Sequence, residues 1–566
     1  MSIRYLACAS LVLMLTSCLK DLDILFPKDL RPNIELTLAS SQKDVTLTLM
    51  SDKPESVFID LNGNAQKDEG ESFEVGKPVT IHPKGDKLGL YGPFTSMDIS
   101  GQDVTKISGK GLIGLKAMNL TNTKLSTEEI EDALRLLAGK EGGKLTLEEW
   151  RVTSSIRKHI EFFKWQIVRP NGSLIDPNES VLMLRALAKE VLEKRVALEL
   201  SGGKDLWLDK NLNGTKDAGE DLPTGALTLN LPASLPTGES VYIIHGSATG
   251  LSLNVAEDPA EEPEDSDEDA DEIENARALR ANEDGSQIGI SIDASRFSSL
   301  LFMECEEGLN VKYVDVSSCK SLATLTLSGN PIETLALPDS GSELKVLQLA
   351  GNRLKTLSIL DDLTKLSQFT ASNGTLQYIY SIPSELITLN LSGNKLTDLI
   401  IPSDSKLKTL NLKNNMLRNL EIEGEAYNGL ETCILEGNQL ESLDLAAFVK
   451  TKLINVSNNP LKSIELPWDM KELNISKTEL QSLNLNAHKS FIQKLDASNC
   501  AKLTLIQMSQ CTNLSSVNLQ GAKALKGDKI SSELPQLIGH KGKLMIEQGR
   551  LSASELSAIK AKGWSL

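Results

Sequence analysis

The sequence predicts a β-rich solenoid of short strands with few helices, in which two small β modules precede a short and then a long array of stacked coils. Three observations carry that prediction. Aromatic residues make up only 4% of the chain, so the interior must be built from Leu, Ile and Val. A nine-residue leucine pattern recurs through the C-terminal half at intervals of 19 to 23 residues, and such self-similarity decides architecture before any single motif does. The stretch VFIDLNGNAQKDEGE (Val57–Glu71) returns as LWLDKNLNGTKDAGEDL (Leu206–Leu222), which marks a duplicated element. At 566 residues the chain is too long for one ordinary core, and a repeat array or several domains must accommodate it.

The first element, residues 1–18, reads MSIRYLACASLVLMLTSC. A basic start and an apolar run from Leu6 to Leu15, too short to span a bilayer, are the pattern of a signal peptide. Leu15-Thr16-Ser17-Cys18 resembles the lipobox of bacterial lipoproteins, which implies lipidation of Cys18; several acyl chains on one residue would anchor the chain firmly. Residues 19–32 form a tether. Its Leu19-Lys20-Asp21-Leu22-Asp23 is similar to the charged export signal of surface lipoproteins of Bacteroidota. The resemblance implies an outer-membrane, lipid-anchored protein at the cell surface.

Residues 33–125 then comprise a β module with one or two coils, 126–200 a cap and helical connector, and 201–256 the second β module. At a constant offset of 154, Leu88, Leu90, Gly92, Met97 and Ile99 match Tyr242, Ile244, Gly246, Leu251 and Leu253. Within each module, Asp and Asn alternate as in a calcium loop: Asp60, Asn62, Asn64, Asp68 and Glu71, then Asp209, Asn211, Asn213, Asp217 and Glu220 fall at positions 1, 3, 5, 9 and 12 of an EF-hand. Gly214 supplies the glycine of position 6, where the first loop has Ala65. The flanks SVFI and DLWL are strand-like, so an Asn/Gly turn between strands accounts for the same residues without metal. Calcium is the cofactor to test. The segment ESVLMLRALAKEVLEKRVALEL (Glu179–Leu200) has apolar residues near helical spacing and is assigned to a helix.

Residues 257–285 are an acidic insert. Between Glu257 and Glu274 it holds twelve of the acidic residues behind the net charge of −18 and no basic one, a composition that cannot bury enough apolar surface to fold. Such a chain is a poor partner for nucleic acid.

The long array occupies 286–525. LATLTLSGN ends at Asn330, LKVLQLAGN at Asn352, LITLNLSGN at Asn394, LKTLNLKNN at Asn415 and LETCILEGN at Asn438, and altered copies continue to Ala522. L-x-x-L-x-L-x-x-N at this period is the leucine-rich repeat signature. Its two L-x-L leucines point inward from a short strand while the intervening residues face solvent. The asparagines sit where the chain leaves the strand, and their amides can pair turn groups that would otherwise be buried unsatisfied. A second apolar doublet in each repeat, such as Leu399 and Ile401 or Leu443 and Leu445, implies a second strand. With VDVSSCKSLATLTLSGN (Val314–Asn330), the array resembles internalin-like leucine-rich repeat proteins of bacterial surfaces. Cys319, Cys500 and Cys511 take the apolar turn position of that phrase and read as small buried hydrophobes. Residues 526–566 are the C-terminal cap, where KISSELPQLIGHKGKLMIE (Lys529–Glu547) echoes KLSTEEIEDALRLLAGKEGGKLTLE (Lys124–Glu148).

No catalytic constellation is present. His82, His159, His245, His488 and His540 have no H-x-x-x-H spacing, and neither a G-x-S-x-G elbow nor a Walker A lysine occurs. Gly109–Gly114 fits G-x-G-x-x-G but lacks a βαβ context and reads as a turn. Five cysteines beyond the signal region, an odd number without a Cys-x-x-Cys pair, support neither a disulfide framework nor a zinc ribbon. The chain is therefore expected to bind rather than catalyse, through the exposed strand positions Thr388, Asn390, Thr409, Asn411, Asn455 and Asn474 and an acidic row of Glu421, Asp444 and Glu465. The resemblance implies adhesion to proteins or glycans on host or bacterial surfaces. A periplasm-facing structural or assembly lipoprotein is the alternative.

Overall fold

The structure, a computed structural model, describes residues 32–40, 43–137, 142–176, 179–186, 196–223, 225–228, 233–234, 240–254, 289–357, 360–423, 429–489 and 491–566. The signal peptide, Cys18, nearly all of the tether and the acidic insert 257–285 lie outside the described residues. The chain divides into two compact units. Met1–Glu179, Leu208–Glu220 and Ala233–Ile243 make the first; Ser180–Trp207, Asp221–Pro232 and Ile244–Leu566 make the second.

In the first unit the strands are β1 (Ile34–Leu38), β2 (Val45–Ser51), β3 (Phe58–Asp60), β4 (Pro78–Ile81), β5 (Lys87–Tyr91), β6 (Phe94–Asp98), β7 (Val104–Ser108), β8 (Ala117–Asn119), β9 (Lys144–Thr146) and β10 (Gln166–Val168). IELTL and VTLTLMS in β1 and β2 alternate buried and half-exposed residues, the period-2 pattern of a strand with one face in a core. Two sheets result, ordered β3-β5-β1-β7 and β10-β9-β8-β6-β2-β4. Leu36, Leu47, Leu90, Met97 and Leu145 belong to one hydrophobic cluster. The second sheet changes character along its length: β4, β2 and β6 pair antiparallel, whereas β8, β9 and β10 add in parallel.

The second unit repeats that change. Its opening elements include β11 (Val181–Ala186), β12 (Ala197–Ser201), β13 (Lys204–Leu208), β14 (Gly225–Thr228), β15 (Ala233–Ser234), β16 (Ser240–Ser247), β17 (Gly250–Asn254), β18 (Ile290–Asp293), β19 (Phe302–Cys305) and β20 (Val311–Asp315), β15 and parts of β13 and β16 falling in the first unit's segments. β14, β12 and β17 pair antiparallel, and from β19 onward every strand adds in parallel, out to Trp564–Ser565 at the edge of a 16-stranded sheet. Likewise β1 pairs antiparallel with β7, and β11 with β18. The turn glycines correspond too. Gly92 and Gly246 have φ of 116° and 109°, and a Cβ on either would strike a backbone carbonyl, of Ser56 and Asp205 respectively.

The segment Glu179–Leu200 is not helical where it is described. The expected helix Glu179–Leu200 contains instead β11 and β12, with 187–195 outside the described residues. VLMLRA is buried on both faces of its strand, and a continuous apolar run does not distinguish a buried strand from a buried helix. Four α-helices occur among the described residues: Thr127–Leu136, Ser154–Phe162, Gly527–Glu533 and Ala553–Ala561. Ser126, Thr153 and Ser552 cap the first, second and fourth through their hydroxyl oxygens, and Ser552 forms a capping box with Glu555.

These helices belong to two terminal segments that match more closely than the sequence echo suggested, and in a different register. The match at Lys124 and Lys529 gives way to an offset of 399, with Leu125 and Leu525 alone one residue further apart. Arg151 Nη1 donates to the Leu120 carbonyl and Arg550 Nη1 to the Leu519 carbonyl, each at 3.1 Å. Arg151 Nη2 reaches the Leu125 carbonyl, and Arg550 Nη2 the Leu525 carbonyl. Glu148 accepts from the Asn122 N–H as Glu547 does from that of Gly521. Trp165 and Trp564 lie against Gly143 and Gly542, where any Cβ would collide with the indole.

Candidate functional site

Both Asp/Asn loops adopt one backbone design. Asp60 accepts from the N–H groups of Asn62, Gly63 and Ala65 at 3.1, 2.6 and 2.8 Å, and Asp209 from those of Asn213 and Gly214 at 3.1 and 2.8 Å. Glu71 accepts from Leu61 and Asp68 N–H, Glu220 from Lys210 and Asp217 N–H. All four of these carboxylates are buried, and their charges are met by backbone donors. At the exposed mouth, the side-chain amides of Asn62 and Asn64 donate to Asp68, and those of Asn211 and Asn213 to Asp217. The two amides hold the Asp68 carboxyl below its ordinary pKa.

The missing glycine is balanced by a second exchange that spacing alone did not reveal. The loops take a left-handed conformation at two places, Gly63 and Ala65 in one, Leu212 and Gly214 in the other, with φ of 75°, 60°, 58° and 71°. Each loop has one glycine and one strained residue, at opposite places. The donor set of three carboxylates and two amides suits a hard cation such as calcium. In neither loop, however, do three carboxylates bring oxygens within 4.8 Å of one another. Bound calcium would have to replace the Asn amides as the partner of Asp68 or Asp217.

In the array, the buried asparagines bridge neighbouring repeats. Asn415 donates to the Leu391 and Leu412 carbonyls at 2.9 and 3.0 Å and accepts from Leu396 N–H at 3.1 Å; Asn394, Asn438 and Asn459 repeat the arrangement. Cys319, Cys500 and Cys511 are fully buried, and their thiols donate to the carbonyls of Ala294, Ile475 and Leu485. Burial pushes the Cys319, Cys433 and Cys511 thiols up to about 12.

The solvent-facing columns run in register. Thr388 pairs with Thr409 and Thr409 with Thr432; Asn390 pairs with Asn411, and Asn455 with Asn474, while Ile434 interrupts the asparagine column. The Oδ1 atoms of Asn390, Asn411, Asn455 and Asn474 accept from the N–H two residues on, so these amides are half committed to the turn. On the second strands, Asp444 lies opposite Glu465. Glu421 belongs to a separate two-stranded ribbon opposite Ile400, so the acidic row is broken as a ladder. The exposed Tyr378, Tyr380 and Trp468 were not singled out from sequence, although outward aromatics in a chain this poor in them were a usable signal.

The repeat, its asparagine bridges and its parallel ladder define a leucine-rich repeat fold of many short strands. Residues 385–405 match the Leucine Rich Repeat family. Among solved structures, the chain is similar to the functional domain of InlJ from Listeria monocytogenes, at 20% identity over 47% of this chain and 58% of that one, with a TM-score of 0.34. It is also similar to a leucine-rich repeat protein of Leptospira interrogans (17%, covering 48% and 91%, TM-score 0.30) and to the internalin InlF of Listeria monocytogenes (17%, covering 52% and 94%, TM-score 0.23). No curated protein matches the chain. No helix among the described residues is long and apolar enough to cross a membrane.

Proposed function

We propose that the chain is a leucine-rich repeat solenoid with two β modules, lipid-anchored through Cys18 in the outer membrane and exposed at the cell surface, where it binds proteins or glycans of host or bacterial surfaces. The observation that carries the binding reading is the in-register polar column of the long parallel sheet, Thr388-Thr409-Thr432 with its neighbouring asparagines. A stack of such columns offers one extended, rigid surface for a large ligand. Lipid anchoring and surface exposure rest on the lipobox-like LTSC and the charged tether. Among the described residues, no constellation of nucleophile and base favours an enzyme.

Two tests bear on this reading. Pull-down with the soluble chain from Lys20 onward, against host matrix and bacterial surface proteins, is expected to give saturable capture that weakens when Thr409 and Asn411 are replaced by Lys; no saturable capture would sink adhesion. Protease treatment of intact cells is expected to cleave the chain; complete protection would favour the periplasm-facing alternative. We further propose that both Asp/Asn loops bind calcium, held by Asp60, Asn62, Asn64, Asp68 and Glu71 and by Asp209, Asn211, Asn213, Asp217 and Glu220. Calorimetry should find two calcium ions per chain, one lost with Glu71→Gln and the other with Glu220→Gln. Binding that survives both substitutions would place calcium elsewhere.

A further inference from the structure

We propose that the second-strand face of the long array, from Tyr378 to Trp468, docks an extended basic peptide segment that carries an apolar residue at one end. This inference rests on the binding reading above and assigns it a face and a partner chemistry. The Asp398–Asn419 pairing comes with a hydrogen bond from Met416 N–H to the Leu396 carbonyl. The same bond recurs from Lys395 to Leu376 and from Gln439 to Leu417, which aligns Tyr378 with Asp398 and Asn419 with Ser442. One outward column therefore runs Tyr380, Ile400, Glu421, Asp444, Glu465 through five successive repeats, across the breaks between ribbons.

The apolar end of this column is exposed. Tyr378, Tyr380 and Ile400 are 56%, 70% and 49% accessible, and Trp468, three residues past Glu465, is 61% accessible. The acidic part is set apart by what it lacks. Elsewhere in the array, exposed glutamates meet a lysine of the adjacent repeat: Glu343 with Lys365, Glu385 with Lys406, Glu431 with Lys452, Glu441 with Lys462, Glu472 with Lys494 and Glu479 with Lys502. Among the described residues, Glu421, Asp444 and Glu465 take part in no ion pair. Aligned like charges on neighbouring strands repel, and these three, unlike the six glutamates met by lysines, are left for a cation from outside. Beside Trp468, Asp469 also keeps Oδ1 buried with no hydrogen-bond partner.

Lysine or arginine side chains would satisfy the carboxylates and stack on the flanking rings, while an aliphatic or aromatic residue covers Tyr380 and Ile400. With strands about 4.8 Å apart, the column is about 19 Å long, the reach of about six extended residues.

The probe is a fluorescent hexapeptide, Phe-Lys-Val-Lys-Val-Lys, titrated into the full chain by anisotropy. Saturable binding is expected, weakened at least tenfold by Glu421→Gln, Asp444→Asn and Glu465→Gln together, and severalfold by Tyr378→Ser with Tyr380→Ser. The charge-matched triple Glu343→Gln, Glu385→Gln and Glu472→Gln should leave it within twofold, and the peptide with Glu for Lys should not bind. Equal losses in both triple variants would overturn the proposal by showing only net-charge attraction. Capture of a surface protein that survives the Glu421, Asp444 and Glu465 variant would overturn it too, while leaving the binding scaffold standing. Peptide binding as expected, with no surface protein captured by any variant, would support this face and overturn the adhesion reading.

Discussion

Single residues carry more of this fold than the repeat consensus suggests. Ala65 and Leu212 hold left-handed backbone that glycine adopts without steric cost. Ala65→Gly and Leu212→Gly should therefore each stabilise the chain by about 0.5–1 kcal/mol in chemical denaturation, the left-handed penalty net of glycine's entropy. Five free cysteines are buried, and burial raises their pKa. Since the thiolate is the reactive form, Ellman's reagent at pH 8 should leave all five untouched in the folded chain and titrate them in guanidinium. The Asp/Asn spacing was legible in the sequence, and so was its ambiguity. The two-for-two exchange of glycines was not, because it appears only when φ is compared at equivalent loop positions.

Among elements, the asparagine bridge is the unit that joins one repeat to the next. Asn415→Ala would strand the Leu396 N–H and two buried carbonyls, and should cost about 2–4 kcal/mol by denaturation, more than a typical single hydrogen bond. The terminal segments depend on a buried arginine. Arg151 is 1% exposed and holds the Leu120 and Leu125 carbonyls beside Glu148, so Arg151→Met should cost about 3–5 kcal/mol, as for one broken partner of a buried pair. Desolvation pushes the Glu547 carboxyl up, but the Gly521 N–H and Arg550 outweigh it and leave it below the usual range. A depressed carboxylate stabilises above its unfolded pKa and loses that contribution as pH falls through the folded one. Acid titration below pH 4.5 should therefore loosen the C-terminal segment, followed by Trp564 fluorescence, and Glu547→Gln should flatten that response. Strand-forming Val181–Ala186 was misassigned because a run buried on both faces carries no period to read.

For the whole molecule, the duplication is the organising fact. Antiparallel β4-β2-β6 leading into parallel β8-β9-β10 is matched by antiparallel β14-β12-β17 leading into a far longer parallel run. Both versions end in a glycine-tryptophan contact and an arginine clamp. If the loops of the two copies take calcium, chelator should lower the Tm of the intact chain, and Glu71→Gln with Glu220→Gln should abolish that difference.

The sequence by itself determined the repeat, its period, the inward leucines and the structural role of the asparagines. Each of these is a local periodicity that stacking can satisfy in only one way. Tertiary structure alone decided the register of the two terminal segments, the strand identity of Val181–Ala186, and which glutamates keep no partner. Those depend on residues about twenty positions apart coming into contact across repeats, and a glutamate's spacing does not say whether a lysine of the next repeat will meet it.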